Sequence, residues 1–239
     1  MQLIGSVAFT VFLYLWTFLN AIVLIVLAVF LPFPRRFGIV RNWAASLLKV
    51  LGWTCHLSHT VEGLERLPEG SHVALWKHSS SWETLAMIVI FPRQVWVLKR
   101  ELKWIPLVGS CIRLLHAIAI DRGSGRVAVN QVIEQGKQRL AEGDWVMIFP
   151  EGTRTAPGET RRYGVSGALL AAAAGTQVVP VAHNAGYFWP RRGLRKRRGQ
   201  IRVVIGPPID CAGRDPRDVN DEAQRWIEAQ VAKLATDAA

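Results

Sequence analysis

The sequence predicts an α/β domain, a mostly parallel sheet flanked by helices, carried behind N-terminal membrane-associated helices. Three observations lead there. Residues 3–31 form an unbroken apolar stretch. From residue 71 onward, short apolar runs alternate with helical stretches, the pattern of βα units around a parallel sheet. Two polar segments, 77–83 and 149–154, directly follow apolar runs, where such sheets present reactive groups.

The apolar stretch exceeds the roughly 20 residues needed to cross a bilayer core. Residues 1–34 contain no Asp, Glu, Lys or Arg. A secretory signal would need a basic start and a small-residue cleavage site, and Met1-Gln2 and Val29-Phe30-Leu31-Pro32 supply neither, so the segment is expected to stay. It is read as a transmembrane helix, with a tilted course or a shallow hairpin bent near Asn20 left open. Pro32 and Pro34 should end it. Arg35, Arg36 and Arg41 follow at once, and the positive-inside bias then puts the domain at the cytoplasmic face of the inner membrane. Residues 37–53 suit either a helix lying among the headgroups or an amphipathic helix packed on the domain. The chain divides into an anchor with its following helix, 1–53, and a domain, 54–239.

Strands are expected at 72–77, 94–99, 117–121, 145–149, 177–182 and 200–205, and helices at 82–90, 125–141, 165–174 and 218–235. Gly143 stops the second of these helices before its strand. A formal charge of +11 draws the protein to polyanions without choosing among them. The basic tract 191–198 is a solvated face or a holder of anionic headgroups. Cys55, Cys111 and Cys211 are widely spaced and odd in number, so neither a disulfide framework nor a metal site is expected.

The segment Lys77-His-Ser-Ser-Ser-Trp-Glu83 links a predicted strand to a predicted helix. On a continuous helix His78 and Glu83 would point about 140° apart. They can meet only if His78 lies in the loop and Glu83 in the first helical turn. Ser80-Ser-Trp-Glu83 matches the S-x-x-E capping box, with Ser80 as N-cap and Glu83 at the third helical position. Two readings follow: Glu83 merely caps the helix, or Glu83 also orients the His78 imidazole so that its other nitrogen can take a proton from a hydroxyl. In Phe149-Pro-Glu-Gly-Thr-Arg154, Gly152 permits close backbone approach, Thr153 offers a hydroxyl and Arg154 can grip a phosphate with two N–H groups. A plain turn with a surface arginine fits that hexapeptide equally.

Taken together, the two segments resemble the glycerolipid acyltransferase family, in particular the 1-acyl-sn-glycerol-3-phosphate acyltransferases, whose motifs are H-x-x-x-x-D and F-P-E-G-T-R-S. Two further blocks look similar: Lys99-Arg-Glu-Leu-Lys-Trp-Ile-Pro-Leu-Val-Gly109 with Ile118-Ala-Ile-Asp-Arg122, and Val178-Val-Pro-Val-Ala182. The resemblance implies that His78 is the base and Glu83 its orienting carboxylate. It also implies that Lys99 or Arg100, with Arg154, holds a phosphate, and that Glu151, Gly152 and Thr153 line the same site. Glu83 departs from the usual Asp by one methylene. The implied reaction moves a fatty acyl group from acyl-CoA or acyl-carrier protein to the hydroxyl of lysophosphatidic acid, giving phosphatidic acid without cofactor or metal. Backbone N–H groups near Gly152 could receive the oxyanion, and apolar residues within 82–91 or 102–115 would measure the chain.

The rivals are an acyltransferase for another lyso-lipid or a glycerol 3-phosphate-like acceptor, a serine hydrolase and a polyanion binder. For the hydrolase, Gly164-Val-Ser166-Gly-Ala168 lacks the final Gly of a nucleophile elbow. A membrane-tethered polyanion binder explains the charge but not His78 or Arg154. No nucleic-acid-binding pattern accompanies that charge, so nucleic acid is not an expected partner.

Overall fold

The apolar run folds as one continuous helix, α1 (Gln2–Leu27), unbroken at Asn20, so it is not a hairpin. A computed structural model describes residues 2–191 and 193–236 of the chain. Pro32 and Pro34 open the second helix, α2 (Phe33–Cys55), rather than only closing the first. Proline suits that place because first-turn N–H groups have no intrahelical partner. On α2 the buried residues Phe37, Val40, Ala44, Leu47 and Leu51 recur every three or four positions, which is the stripe of a helix packed on a domain. Of the two readings of residues 37–53, this is the one observed.

Antiparallel strapping holds α1 along α2. Gly5 is where they come closest: a Cβ there would lie 1.9 Å from the Thr54 carbonyl oxygen. Trp43 donates to the Thr17 hydroxyl (3.1 Å), and Gln2 donates to the Cys55 and Lys196 carbonyls (3.0 and 2.7 Å). Phe9, Leu24 and Ala28 are buried, so α1 is docked near both ends. Its other face bares Ile4, Val11, Leu15, Phe18 and Val26. The helix is long and apolar enough to cross a membrane, and soluble packing leaves that face uncovered. Membrane association accounts for it.

Beyond the helical pair come β1 (Leu57–Glu62), β2 (Val73–Trp76), α3 (Glu83–Ile90), β3 (Gln94–Lys99), α4 (Val108–Leu114), β4 (Ile118–Ile120), α5 (Arg126–Ala141), β5 (Trp145–Ile148), α6 (Ser166–Ala174), β6 (Val178–His183), α7 (Ala185–Phe188), β7 (Gly199–Ile205) and α8 (Pro216–Thr236). Among the described residues the strands form one sheet in the order β1-β7-β6-β2-β5-β3-β4. All pairs are parallel except β6–β7, so the mostly parallel α/β reading holds, with one reversal. One hydrophobic cluster joins α1, α2 and α3 to one face of the sheet; a second joins α5, α6 and α8 to the other. The first cluster runs from Phe9 and Leu47 to Trp76 and Trp189, across the 53/54 boundary.

Three elements, β1, α4 and the short α7, lie outside the expected set. β1 buries side chains on one face only and follows α2 after a single residue, His56, in the left-handed region. Val178-Val-Pro-Val-Ala182 forms most of β6, beside β2.

Replacing Gly5 by Val forces apart the α1–α2 backbones and should cost about 1–3 kcal/mol, the usual range for overpacking. Gly38→Ala, in a site with nothing within 4 Å of the added methyl, should instead be neutral or slightly stabilising. Urea denaturation in detergent distinguishes them; equal midpoints for Gly5→Val and wild type would contradict this packing.

Candidate active site

Adjacent parallel strands β6, β2, β5 and β3 deliver their carboxyl ends to one edge of the sheet. From β2 come Lys77 and His78, from β5 the segment 149–154, from β3 Lys99 and from β6 His183. Polar side chains cluster where backbone ladders stop, because there the next residues leave the sheet and loops can aim groups outward.

His78 lies in the loop and Glu83 begins α3, which lets them meet across five residues. The imidazole Nδ1 lies 2.8 Å from Glu83 Oε1. The same oxygen accepts the backbone N–H groups of Ser79 and Ser80 (3.1 and 2.9 Å). A charged carboxylate can only accept, so Nδ1 carries the proton and Nε2 is left as the basic nitrogen. The expected capping box does not form: α3 begins at Glu83 with Trp82, not Ser80, as its N-cap, and although Glu83 reaches back to the Ser80 N–H, Ser80 Oγ accepts from Trp82 N (3.0 Å) and donates to Trp189 O (2.6 Å). Holding the loop N–H groups and orienting the imidazole therefore fall to one carboxylate oxygen. Burial acts to raise the Glu83 pKa, but the His78 hydrogen bond, the nearby His183 and His78, and the Ser80 N–H hold it below the ordinary carboxylate value.

His183, also buried, sits behind this pair. Its Nδ1 accepts from Ala185 N (3.2 Å), so Nε2 carries the proton and donates to Lys77 O (2.8 Å), while Glu83 Oε2 stands 3.9 Å away. An imidazole that accepts at one nitrogen and donates at the other is neutral, and burial lowers its pKa in the same sense.

Phe149 stacks on His78 with ring centroids 3.9 Å apart. Thr155 donates to the His78 carbonyl (2.8 Å). Together they fix the imidazole against a cavity of about 630 Å³, within the ~300–1,000 Å³ usual for small-molecule sites. His78, Lys99 and Arg154 all face it; the rest of its wall is largely apolar, with Leu24 from α1, Trp43 from α2, Met87 from α3 and Ile112 from α4. Chain-measuring candidates from both expected stretches, such as Ile88 and Leu102, are among these lining residues.

Other expected site residues fall elsewhere. Arg100 is exposed and paired with Asp121 (2.9 Å), not with the cavity. Glu151 lies beneath the His78 loop rather than lining the cavity: it accepts the His78 N–H (3.1 Å) and stands 3.4 Å from Lys77 Nζ. Gly152 has φ +68° and nothing near its missing Cβ, so backbone conformation, not close approach, is what calls for glycine. Its N–H donates to Phe149 O (3.0 Å), which removes it as an oxyanion donor in this turn. Thr153 is half-buried in the same turn and is not among the residues lining the cavity. Ser166 opens α6 on the opposite face of the sheet, away from the cavity.

Lys77, Glu228, Tyr163 and His183 were not singled out by the sequence. Lys77 is buried and pairs with Glu228 of α8 (2.7 Å), which also accepts from the Tyr163 hydroxyl (2.8 Å). One buried ammonium thus joins α8 to the back of the His78 loop. Burial pushes Glu151 up to about 6, against the opposing pull of Lys77 and the His78 N–H. In the basic tract Arg192 lies outside the described residues, and Lys196 is buried rather than solvated. Its Nζ donates to Thr10 (2.5 Å) and lies over the Phe9 and Trp189 rings.

A family model described as Acyltransferase matches residues 58–184, more than half of the chain. The chain belongs to this acyltransferase family. The acyltransferase is 38% identical to the 1-acyl-sn-glycerol-3-phosphate acyltransferase of Pseudomonas aeruginosa, over 98% of this chain and 93% of that one. It is 31% identical to the human 1-acyl-sn-glycerol-3-phosphate acyltransferase alpha over 66% of its own length and 56% of the human protein. Its fold matches the crystal structure of the Thermotoga maritima 1-acyl-sn-glycerophosphate acyltransferase with a TM-score of 0.80, 19% identity and 98% coverage of both chains. Glu228, in α8, lies beyond the matched segment.

Because the folded-state pKa of Glu151 is raised, its contribution to stability is greatest below the unfolded value near 4.5 and is lost as pH climbs to about 6. The wild-type advantage over Glu151→Gln should shrink by about 2 kcal/mol across that window. Paired urea titrations at pH 4.5 and 6.5 measure it; a difference that grows with pH reverses the assignment.

Proposed function

We propose that this acyltransferase moves a fatty acyl group from an acyl thioester to the free hydroxyl of lysophosphatidic acid, forming phosphatidic acid for phospholipid synthesis. The observation carrying this reading is the meeting, in one largely apolar cavity, of an imidazole oriented by a buried carboxylate and two cations, Lys99 and Arg154. The acyl chain suits the apolar wall, the phosphate suits the cations, and the hydroxyl between them suits His78. The Pseudomonas aeruginosa relative, named a 1-acyl-sn-glycerol-3-phosphate acyltransferase, supports the same acceptor.

In the reaction, His78 Nε2 takes the hydroxyl proton as that oxygen attacks the thioester carbonyl. The tetrahedral intermediate collapses with cleavage of the C–S bond, and the thiolate recovers the proton from His78. A thiol with a pKa near about 8.5 leaves with little acid assistance, so one imidazole serves both steps. Neither cofactor nor metal takes part in this scheme. The Ser80 hydroxyl is already committed to Trp189 and Trp82, which favours direct transfer over an acyl-serine route. Acyl-CoA and acyl-carrier protein both offer the required thioester. Arg35, Arg36 and Arg41, directly after the apolar helix, favour the cytoplasmic side of the inner membrane for the domain, with the bare face of α1 in lipid.

Thioester consumption by the purified protein in detergent should depend on added lysophosphatidate. His78→Ala should lower kcat/KM by about 10²–10⁴-fold, the usual worth of a general base. Arg154→Ala should raise KM for the acceptor more than KM for the thioester. Acceptor-independent consumption, or a His78→Ala enzyme near wild-type rate, would defeat the reading.

A further inference from the structure

The segment after β3 bares four large apolar side chains within seven residues. A 3-10 turn (Arg100–Trp104) leads through Ile105 and Pro106 into α4, and Trp104 is 82% exposed, with Leu102, Ile105 and Val108 also exposed. This loop is tightly built. Gly109 N donates to Ile105 O (2.8 Å), Leu107 sits at φ +63°, and a Cβ on Gly109 would lie 2.0 Å from the Lys103 carbonyl oxygen. The apolar tips are therefore held outward by a bonded turn.

Two members of the segment, Leu102 and Val108, line the cavity, as do Ala21 and Leu24 of α1. Loop and anchor thus flank one cavity, and both bare apolar side chains to the outside. Lys99 and Arg100 sit at the base of the loop, paired with Glu101 and Asp121, and Lys103 lies within it, which leaves a net positive charge beside Trp104, at the level where an interfacial tryptophan meets anionic headgroups. Charge, aromatic placement and continuity with the bare face of α1 select a lipid bilayer as the occupant.

We propose that residues 102–108 are a second membrane-inserting element, which with α1 frames a lateral portal through which acyl chains pass between the bilayer and the cavity. The portal rests on the acyltransferase reading; membrane insertion of the loop does not.

The test compares wild type, Trp104→Asp, Trp104→Phe and Val127→Asp, the last an exposed apolar site on α5 at the opposite face of the sheet. Each is assayed with long-chain lysophosphatidate in phosphatidylglycerol-containing vesicles, with a short-chain, water-soluble lysophosphatidate below its micelle concentration, and for cosedimentation with the vesicles. Trp104→Asp should raise KM for the vesicle-borne acceptor about tenfold while leaving kcat/KM for the soluble one within about twofold. Trp104→Phe should restore the former, and Val127→Asp should change neither. Equal loss on both acceptors would make Trp104 merely structural and overturn the proposal, as would no loss on either. A shift in oligomeric state with Trp104→Asp in detergent would assign the patch to a second copy of the chain and overturn it too. A wild type inactive with both acceptors would strike the acyltransferase reading and the portal with it; insertion is then decided by cosedimentation, where Trp104→Asp must bind less than Val127→Asp.

Discussion

One oxygen of Glu83, sealed from solvent, takes three donors: the His78 imidazole and the backbone N–H groups of Ser79 and Ser80. An unpaired carboxylate would be far too costly to bury, so these donors are a condition of its charge and not an embellishment. The arrangement in turn dictates local structure. The chain must leave β2, turn through two serines with their N–H groups facing inward, and start α3 at the carboxylate. Ser80 and Trp189 keep that turn from relaxing, and Phe149 covers the imidazole from the β5 side.

Beneath the turn lies a second tier of buried charge. The Lys77 ammonium is shared by Glu151 and Glu228, and the Lys77 carbonyl accepts from His183. Ion pairs of this depth contribute little net stability, yet losing one partner leaves the rest uncompensated. Their value here is positional: Glu151 holds the His78 N–H, and α8 holds Glu151 through Lys77. Reactive atoms at the surface of the cavity are thus set by residues that never touch it.

Much of this was legible in advance. The strand at 94–99 and the helices α3, α5, α6 and α8 were found to within a residue or two, because their apolar runs end at polar punctuation, whereas the short α4 and α7 were not. β1 was missed because an edge strand buried on one face carries no long apolar run, and the reversal of β7 was invisible because strand direction is decided by where the preceding chain returns. The meeting of His78 and Glu83 was readable since a loop that passes into a helix can bring two residues five apart together, although α3 starts two residues later than the capping box predicts. The pairing of Lys77 with Glu228 was not, since 151 residues separate them and only the fold brings α8 behind β2. Lys99 and Arg100 were inseparable by sequence. The pleat and the turn that follows it send neighbours in different directions, one to the cavity and the other to Asp121 beside β4.

Lys196 ties the N-terminal helix to the very segment whose Trp189 carbonyl braces Ser80, and α1 also supplies part of the cavity wall. Deleting the first thirty or so residues to obtain a soluble fragment would therefore strip away a side of the pocket and uncover Phe9's partner Trp189 at the same stroke. For this enzyme the lipid tether and the catalytic body are one mechanical piece, and solubility has to be sought from detergents rather than from shears.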